Sequence, residues 1–526
     1  MTSPVPDAAR VVTVDASWFP GRPPTGPTSF LATASGLRRR SDAEIDPSAA
    51  TSALGRPTPD VRVDFADHRA PDPLHLPGTL LPPFTDAHVH LGLIDATALV
   101  PHGIAAVHDL GWIPEEVAAW ARDGDDAGRA RGATSEAKGV EAARGHGQRT
   151  AGGDGAASPS ADGAPLADPT RLPSTEDAPS ANPTRRMPHV TFAGAFLTAP
   201  GGYPSDRSWA PDGSVVEIAT PDEAVAAVDR QLASGASFVK VALNSDAGPV
   251  PDDATLAAVV GRAHERGVAV VAHAEGPGQA AQAFEAGVDR LAHAPFSERL
   301  PDALLLAMAR PRPRSGSRAE HDTARRRARP ERRPAPENDA QVVFGRAGTG
   351  RTTWVSTLDI HGWGTPTPEQ DVAVDNVRRF VALGGTVVYG TDLGNGALPL
   401  GVNPGELRAL VAAGLGADDL VRALTSGVPR PSTVERRVTA REMRPWAQHS
   451  DTDAALAATG RGAVVGAVTY VPGPPPTRLT DLDRLDGPDE LAELTRWLAG
   501  ATTLHLADVL QPAFAPPSGT TREDHR

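Results

Sequence analysis

"GTLLPPFTDAHVH", residues 78–90, decides how the rest of the chain is read. It is an apolar, strand-forming run that closes on His88 and His90. On a strand, positions two apart share a face, so both imidazoles can reach one metal ion. Outward from this run the same kind of segment recurs. Short β-branched stretches follow at "GIAAVHDLG" (103–111), "HVTFAGAFL" (189–197), "SFVKVAL" (237–243) and "VAVVAHA" (268–274). Three more stand at "GVDRLAH" (287–293), "TWVSTLDIHG" (353–362) and "TVVYGTD" (386–392). Between them lie Ala/Leu/Val-rich stretches with helical spacing, such as "PDEAVAAVDRQLASG" and "DDATLAAVVGRAHERG", several ending in Gly as helix C-termini do. Eight strand candidates, most followed by a helix, predict an α/β chain folded as a (β/α)8 TIM barrel, with its site at the C-terminal ends of the strands. A doubly wound open sheet would bring a Gly-rich phosphate loop after the first strand, and "DAHVHLGL" is not one.

Composition narrows the chemistry. The 526 residues hold no cysteine, which removes disulfides, thiolate nucleophiles and Cys-ligated zinc together. A net charge of −14 argues against a nucleic-acid partner. No apolar run approaches the ~18 residues of a membrane span. The start, "MTSPVPDAARVVTVD", lacks the basic and apolar regions of a secretory signal, so a cytoplasmic enzyme acting on a small molecule is expected. Two stretches, 122–187 and 310–340, carry few large apolar residues and read as disordered insertions. The second holds ten arginines, a run that reads as solvated surface rather than a binding arm.

The ends of the predicted strands carry the chemistry. His88 and His90 end the first, Lys240 lies near the end of the fourth, His273 ends the fifth, His293 the sixth and Asp392 the eighth. In a barrel these six converge on one spot, a donor set of imidazole and carboxylate suited to hard or borderline divalent metals. Lys240 stands out because the chain has only one other lysine, Lys138, among fifty-one Lys plus Arg. A buried lysine amine can lose its proton, whereas arginine stays protonated.

At this point the chain resembles the amidohydrolase superfamily of metal-dependent hydrolases. "LPPFTDAHVHLG" is similar to its strand-1 signature, "VVAHAEG" and "LAHAPF" to its strand-5 and strand-6 histidines, and "VYGTDLG" to its strand-8 aspartate. The form of His273 to Gly276 is closest to the imidazolonepropionase and prolidase-like branch. The resemblance covers roughly residues 78–427 apart from the insertions, and it implies roles residue by residue. His88, His90 and Asp392 would hold the more buried of two divalent ions (Zn first, with Mn, Co or Fe as alternatives), and His273 and His293 the second. Lys240 would bridge them as a CO2-derived carbamate. Asp392 would act as general base in hydrolysis of a C–N bond in an amide, dipeptide or cyclic amide. Two other readings remain open. One is a mononuclear deaminase, in which Glu275 would serve and Lys240 would have no role; the other is a non-catalytic binding scaffold.

Further polar residues follow the strands. His108 (beside Asp109), Tyr203, Asn244, His361 and Asn395 are candidate substrate contacts, while Trp363 reads as packing. Relatives in this superfamily build a small β-sandwich from both chain ends. Here residues 1–77 offer its N-terminal part, in "RVVTVDASWFPG" and "VRVDFADH". The C-terminal region, 428–526, shows no recognisable return, only a strand pair expected at 462–472 and a helix in "GPDELAELTRWLAG". The sandwich is therefore expected to be reduced or replaced, and the tail could serve a homo-oligomer contact instead.

Overall fold

The computed structural model describes residues 9–33, 36–39, 72–128, 186–311, 351–426, 466–476, 488–515 and 517. The chain opens with strands β1 (Ala9–Ser17), β2 (Thr28–Thr33), β3 (Gly36–Arg39), β4 (Leu74–Leu81), β5 (Phe84–Val89) and β6 (Ile104–Asp109). Helix α1 (Pro114–Gly128) precedes β7 (His189–Phe192), β8 (Phe196–Thr198) and β9 (Val215–Glu217). Helix and strand then alternate: α2 (Pro221–Ala233), β10 (Phe238–Asn244), α3 (Asp253–Glu265), β11 (Ala269–Glu275), α4 (Gln279–Ala286) and β12 (Arg290–Leu291). They continue as α5 (Asp302–Ala309), β13 (Thr353–Val355), α6 (Pro368–Ala382), β14 (Thr386–Val388), α7 (Pro404–Ala412) and α8 (Ala417–Thr425). The last elements are β15 (Ala467–Pro472), α9 (Pro488–Ala499), β16 (Thr502–His505) and α10 (Leu506–Val509).

The central architecture is α/β with parallel sheets. One sheet has the order β5-β6-β7 and another β14-β13-β12-β11-β10-β8-β9, every pair parallel. The expected third strand, "HVTFAGAFL", breaks into β7 and β8 at Gly194, and so belongs to both sheets. Gly194 sits at φ +77°, and a Cβ there would lie 2.1 Å from Gln231 Oε1, the oxygen that accepts from Ala195 N–H. Only glycine meets both demands. At this junction Ser237 N–H also donates to Phe192 O (2.8 Å). At the opposite edge Ala87 N–H donates to Tyr389 O (3.0 Å) and His90 N–H to Leu393 O (2.8 Å).

Local sequence explains the helices. Thr220, Asp252 and Thr367 accept from the backbone N–H of Glu223, Thr255 and Gln370, each an N-cap, and Gly287 closes α4 in the left-handed region at φ +97°. Helix α3 buries Leu256, Val259, Val260 and Ala263, one face of a 3.6-residue repeat. Strand β10 is buried along its whole length, as a parallel strand covered on both faces should be.

The opening stretch is not one strand. Its first residues end β4, which lies in a separate six-stranded sheet, β16-β15-β4-β1-β2-β3. Pro82 and Pro83, which lack N–H donors, carry the chain from that sheet into β5. The six-stranded sheet contains the C-terminal return that the sequence did not reveal. β15 pairs antiparallel with both β4 and β16, so the described part of the expected pair at 462–472 holds one strand, whose partner lies some thirty residues on. Val12, Val14, Phe30, Leu76, Tyr470 and Leu504 form its core. Buried Arg10 fastens both chain ends, donating to Asp72 O (2.7 Å), Val509 O (2.8 Å) and Gln511 O (2.9 Å). Trp18 stacks on Trp497 of α9 with ring centroids 6.5 Å apart, joining this sheet to the helical layer.

Most of the two predicted insertions (129–185 and 312–350), "VRVDFADH", Lys138 and residues 428–465 lie outside the described residues. Residues 122–128, which the sequence assigns to the first insertion, are the end of α1. Among the described residues no helix is long and apolar enough to cross a membrane.

Candidate metal centre

Strands β5, β10, β11, β12 and the run after β14 deliver the predicted set to one region. His88 Nε2 lies 3.0 Å and His90 Nε2 3.1 Å from Asp392 Oδ1. The His293 ring sits 4.8 Å from that of His88 and 4.8 Å from that of His273. Ligand atoms of His88, His293 and Asp392 all fall within 4.8 Å of one another. Lys240 is 1% exposed, its Nζ 5.8 Å from the centre of the Phe196 ring.

Each histidine is turned by its other nitrogen. His88 Nδ1–H donates to Ala292 O (2.9 Å) and His90 Nδ1–H to Gly111 O (3.0 Å), while His293 Nδ1 pairs with Thr357 Oγ1 (2.9 Å). This leaves Nε2 as the lone-pair nitrogen of His88 and turns His90 Nε2 to Asp392, the outer-layer arrangement that orients metal-binding imidazoles. Burial disfavours the charge on His90, but Asp392 outweighs it and raises the imidazole above its ordinary value. Asp392 is held at φ +59°, a conformation rare outside glycine, with its N–H donating to His88 O (2.8 Å) and its Oδ2 accepting from Asn395 Nδ2 (3.1 Å).

Burial sets the electrostatics. It pushes His88 down to about 4 and His293 well below the ordinary imidazole value, so both are neutral and available as ligands. For Asp392 burial opposes ionisation, but His88, His90 and His293 outweigh it and hold the carboxyl well below its usual range. Burial lowers Lys240 to about 7 against the pull of Asp392 and Asp109, which brings the neutral amine within reach near neutral pH.

The donor set fits a metal ion. His88 Nε2 and Asp392 Oδ1 are buried without a hydrogen-bond partner, although they lie 3.0 Å apart. Buried polar atoms are normally satisfied, and two left facing each other beside His90 and His293 are what a cation would complete.

The remaining candidates divide. Tyr203 stacks on His273 at 5.1 Å and His361 packs on Phe296 at 4.2 Å. Both therefore border the cluster. The largely buried His361 carries an Nε2 without a hydrogen-bond partner, and burial lowers it to about 4. Asn395 acts on Asp392, as given above. Asn244 is engaged within the fold: its Oδ1 accepts from Asp246 and Ala247 N–H, and its Nδ2 donates to Glu275 (2.8 Å). His108 meets Arg290 Nη1 (3.4 Å) and the Phe238 ring (5.6 Å), residues that begin β12 and β10, whereas the histidines and Asp392 stand at or just beyond strand ends. Lys240, third of seven residues in β10, lies deeper than the sequence placed it. Trp363 is 39% exposed rather than packed inside.

Sequence reasoning missed Asp86, Thr357 and Trp209. Asp86 accepts from His88 N–H, Thr391 N–H and Thr391 Oγ1–H, so it pins the first strand to the loop that carries Asp392. Its place two residues before His88, on the same strand face, was the available signal. Trp209 lies 6.1 Å from His90 and 6.2 Å from Tyr203, on a loop whose course no periodicity reveals.

With this geometry in place, comparison with solved structures identifies the fold. The chain is similar to a "putative prolidase" from Bifidobacterium longum, with a TM-score of 0.51 at 16% identity, covering 91% of this chain and 92% of that one. It is also similar to the ochratoxinase of A. niger, with a TM-score of 0.50 at 13% identity, covering 92% of this chain and 93% of that one. No protein-family profile and no curated protein sequence matches the chain. The likeness is therefore one of fold, and it agrees with the amidohydrolase-superfamily resemblance carried by the motifs.

Proposed function

We propose that the chain is a metal-dependent amidohydrolase that cleaves a C–N bond of a small molecule. The observation that carries this reading is the pair of buried, unpartnered donors, His88 Nε2 and Asp392 Oδ1, beside His90 Nε2. The strand runs are read as a closed (β/α)8 TIM barrel, a reading supported by the hydrogen bonds at both junctions between the parallel sheets. His88, His90 and Asp392 would hold one divalent ion, zinc being favoured by the imidazole-rich set, and His273 and His293 a second. Lys240, buried with its charge disfavoured, would carry a carbamate between them. Bound ions would acidify water and polarise the scissile carbonyl.

The protein's own groups do the rest. Asp392, kept ionised, accepts a proton from the attacking water and returns it to the departing amine. Asn395 keeps that carboxylate turned through its bond to Oδ2. Phe196, Tyr203 and Trp209 form an apolar wall beside His90 and His273, which suits an amide substrate with an apolar portion. His361 borders the same space with an unpartnered nitrogen.

The test is metal analysis of protein produced with added bicarbonate, followed by a screen of amides, dipeptides and cyclic amides for amine release. The expected result is about two ions per chain, both metal content and turnover falling in Lys240→Arg. Full metal content and turnover in that variant would overturn the carbamate, and a metal-loaded protein inert across the screen would overturn the hydrolase reading.

A further inference from the structure

Glu275 is not needed by the mechanism above, yet it touches a proposed metal ligand. It stands two residues after His273 on β11, so the two side chains leave the same face of the strand. Its Oε2 lies 2.8 Å from His273 Nε2 and 2.8 Å from Asn244 Nδ2. The second contact follows from sheet register, because Asn244 on β10 pairs directly with Glu275 on β11. Asn244 is itself fixed by the N–H groups of Asp246 and Ala247 on its Oδ1. The carboxylate is thus held from behind by an amide with no freedom to turn.

An ionised carboxylate only accepts hydrogen bonds, so the nitrogen facing it must carry the proton. That leaves Nδ1 as the lone-pair nitrogen of His273. His88 shows the opposite polarity, with Nδ1–H spent on Ala292 O and Nε2 left without a hydrogen-bond partner. We infer that Glu275 is a positioning residue, seated by Asn244, that fixes His273 as the Nε2–H tautomer and so offers Nδ1 to the second metal ion. The inference rests on the metal-dependent reading for its consequence but not for its geometry. It also gives Glu275 a role other than the proton transfer that a deaminase would ask of it.

The experiment has two arms on the same metal-free preparation. In the first, 15N-histidine NMR reports which nitrogen of His273 carries the proton, the signal being assigned by its loss in His273→Asn. Protonated Nε2 and bare Nδ1 are expected in the wild type, with a mixture of tautomers in Glu275→Ala. Protonated Nδ1 in the wild type, or a tautomer unmoved in Glu275→Ala, would overturn the proposal. In the second, zinc is titrated in competition with a chromogenic chelator. Glu275→Ala should weaken the second zinc by about 10–100-fold and leave the first unchanged. Glu275→Gln, whose amide oxygen can still accept from Nε2–H, should recover most of that loss. Unchanged or tighter second-site binding in Glu275→Ala would overturn the proposal. A wild type that binds no zinc would overturn the metal reading instead, while the tautomer arm still decides the role of Glu275.

Discussion

Two buried polar clusters in this molecule differ in how their hydrogen bonds close. Asn376, on α6, is fully buried and spends its whole amide: Nδ2–H groups donate to Pro295 O (2.9 Å) and Glu298 O (2.8 Å), and Oδ1 accepts from Leu300 N–H (3.0 Å) and Arg379 Nη2–H (2.6 Å). It clips the loop that follows His293 to the outer helix. At the strand ends, His88 Nε2 and Asp392 Oδ1 are equally buried and have no such partner. Burial of a polar side chain alone therefore does not mark a site. A lone open bond does not either, for Thr85 Oγ1 and Trp354 Nε1 are buried without a partner too; two open atoms 3.0 Å apart, with His90 and His293 beside them, do.

Substitutions should separate the two clusters cleanly. The largest effect is expected for Asp392→Asn, which should cut kcat/KM for amide hydrolysis by roughly 10⁴-fold while far-UV circular dichroism and the urea midpoint stay near wild type. Loss of the fold in that variant would mean the aspartate is scaffold, and the contrast would collapse. Asn376→Ala should do the reverse. It strands several backbone groups and should lower unfolding free energy by about 2–4 kcal/mol in urea titrations, with far smaller loss of turnover in the surviving fraction.

The smallest effect concerns a third buried group, Glu406, which accepts from Asp359 N–H (2.8 Å) and is pushed by burial from its ordinary 4.5 to about 7. Between those two values the folded chain holds a proton that the unfolded chain releases. Its stabilising share is therefore full below about pH 4.5, is lost as pH rises to about 7, and changes no further above that. Glu406→Gln should flatten this slope, so that urea titrations find the variant close to wild type at about pH 4.5 and on the order of 1–2 kcal/mol more stable at pH 8.

Much of this was readable from spacing. Strand runs and the helical stretches between them, several ending in Gly, are local signals, and the structure has strands and helices alternating over residues 221–425, although Lys240 stands third of seven residues in β10 rather than near its end. What escaped depends on long-range partners. Nothing near Gly78 says that β4 joins a different sheet from β5, because that is decided by β15, almost four hundred residues away. Asn244 looks like a mouth residue until its cross-strand partner Glu275 is known. His108 looks the same until Arg290 and Phe238 are seen beside it. Side-chain satisfaction is a tertiary property, and it is what separates binding groups from scaffold.

The Arg10 clasp has a consequence for the life of the chain on the ribosome. Arg10 on β1 needs carbonyls of Val509 and Gln511, and its sheet needs β15 and β16, all of which come far later in the chain. The parallel strands that carry the histidines can pair as they emerge, but the six-stranded sheet is complete only once β15 and β16 have been made. A chain lacking β15 and β16 would thus hold all its candidate ligands and keep β1 paired with β2 and β4, but would leave the other edge of β4 bare and Arg10 without two of its carbonyls.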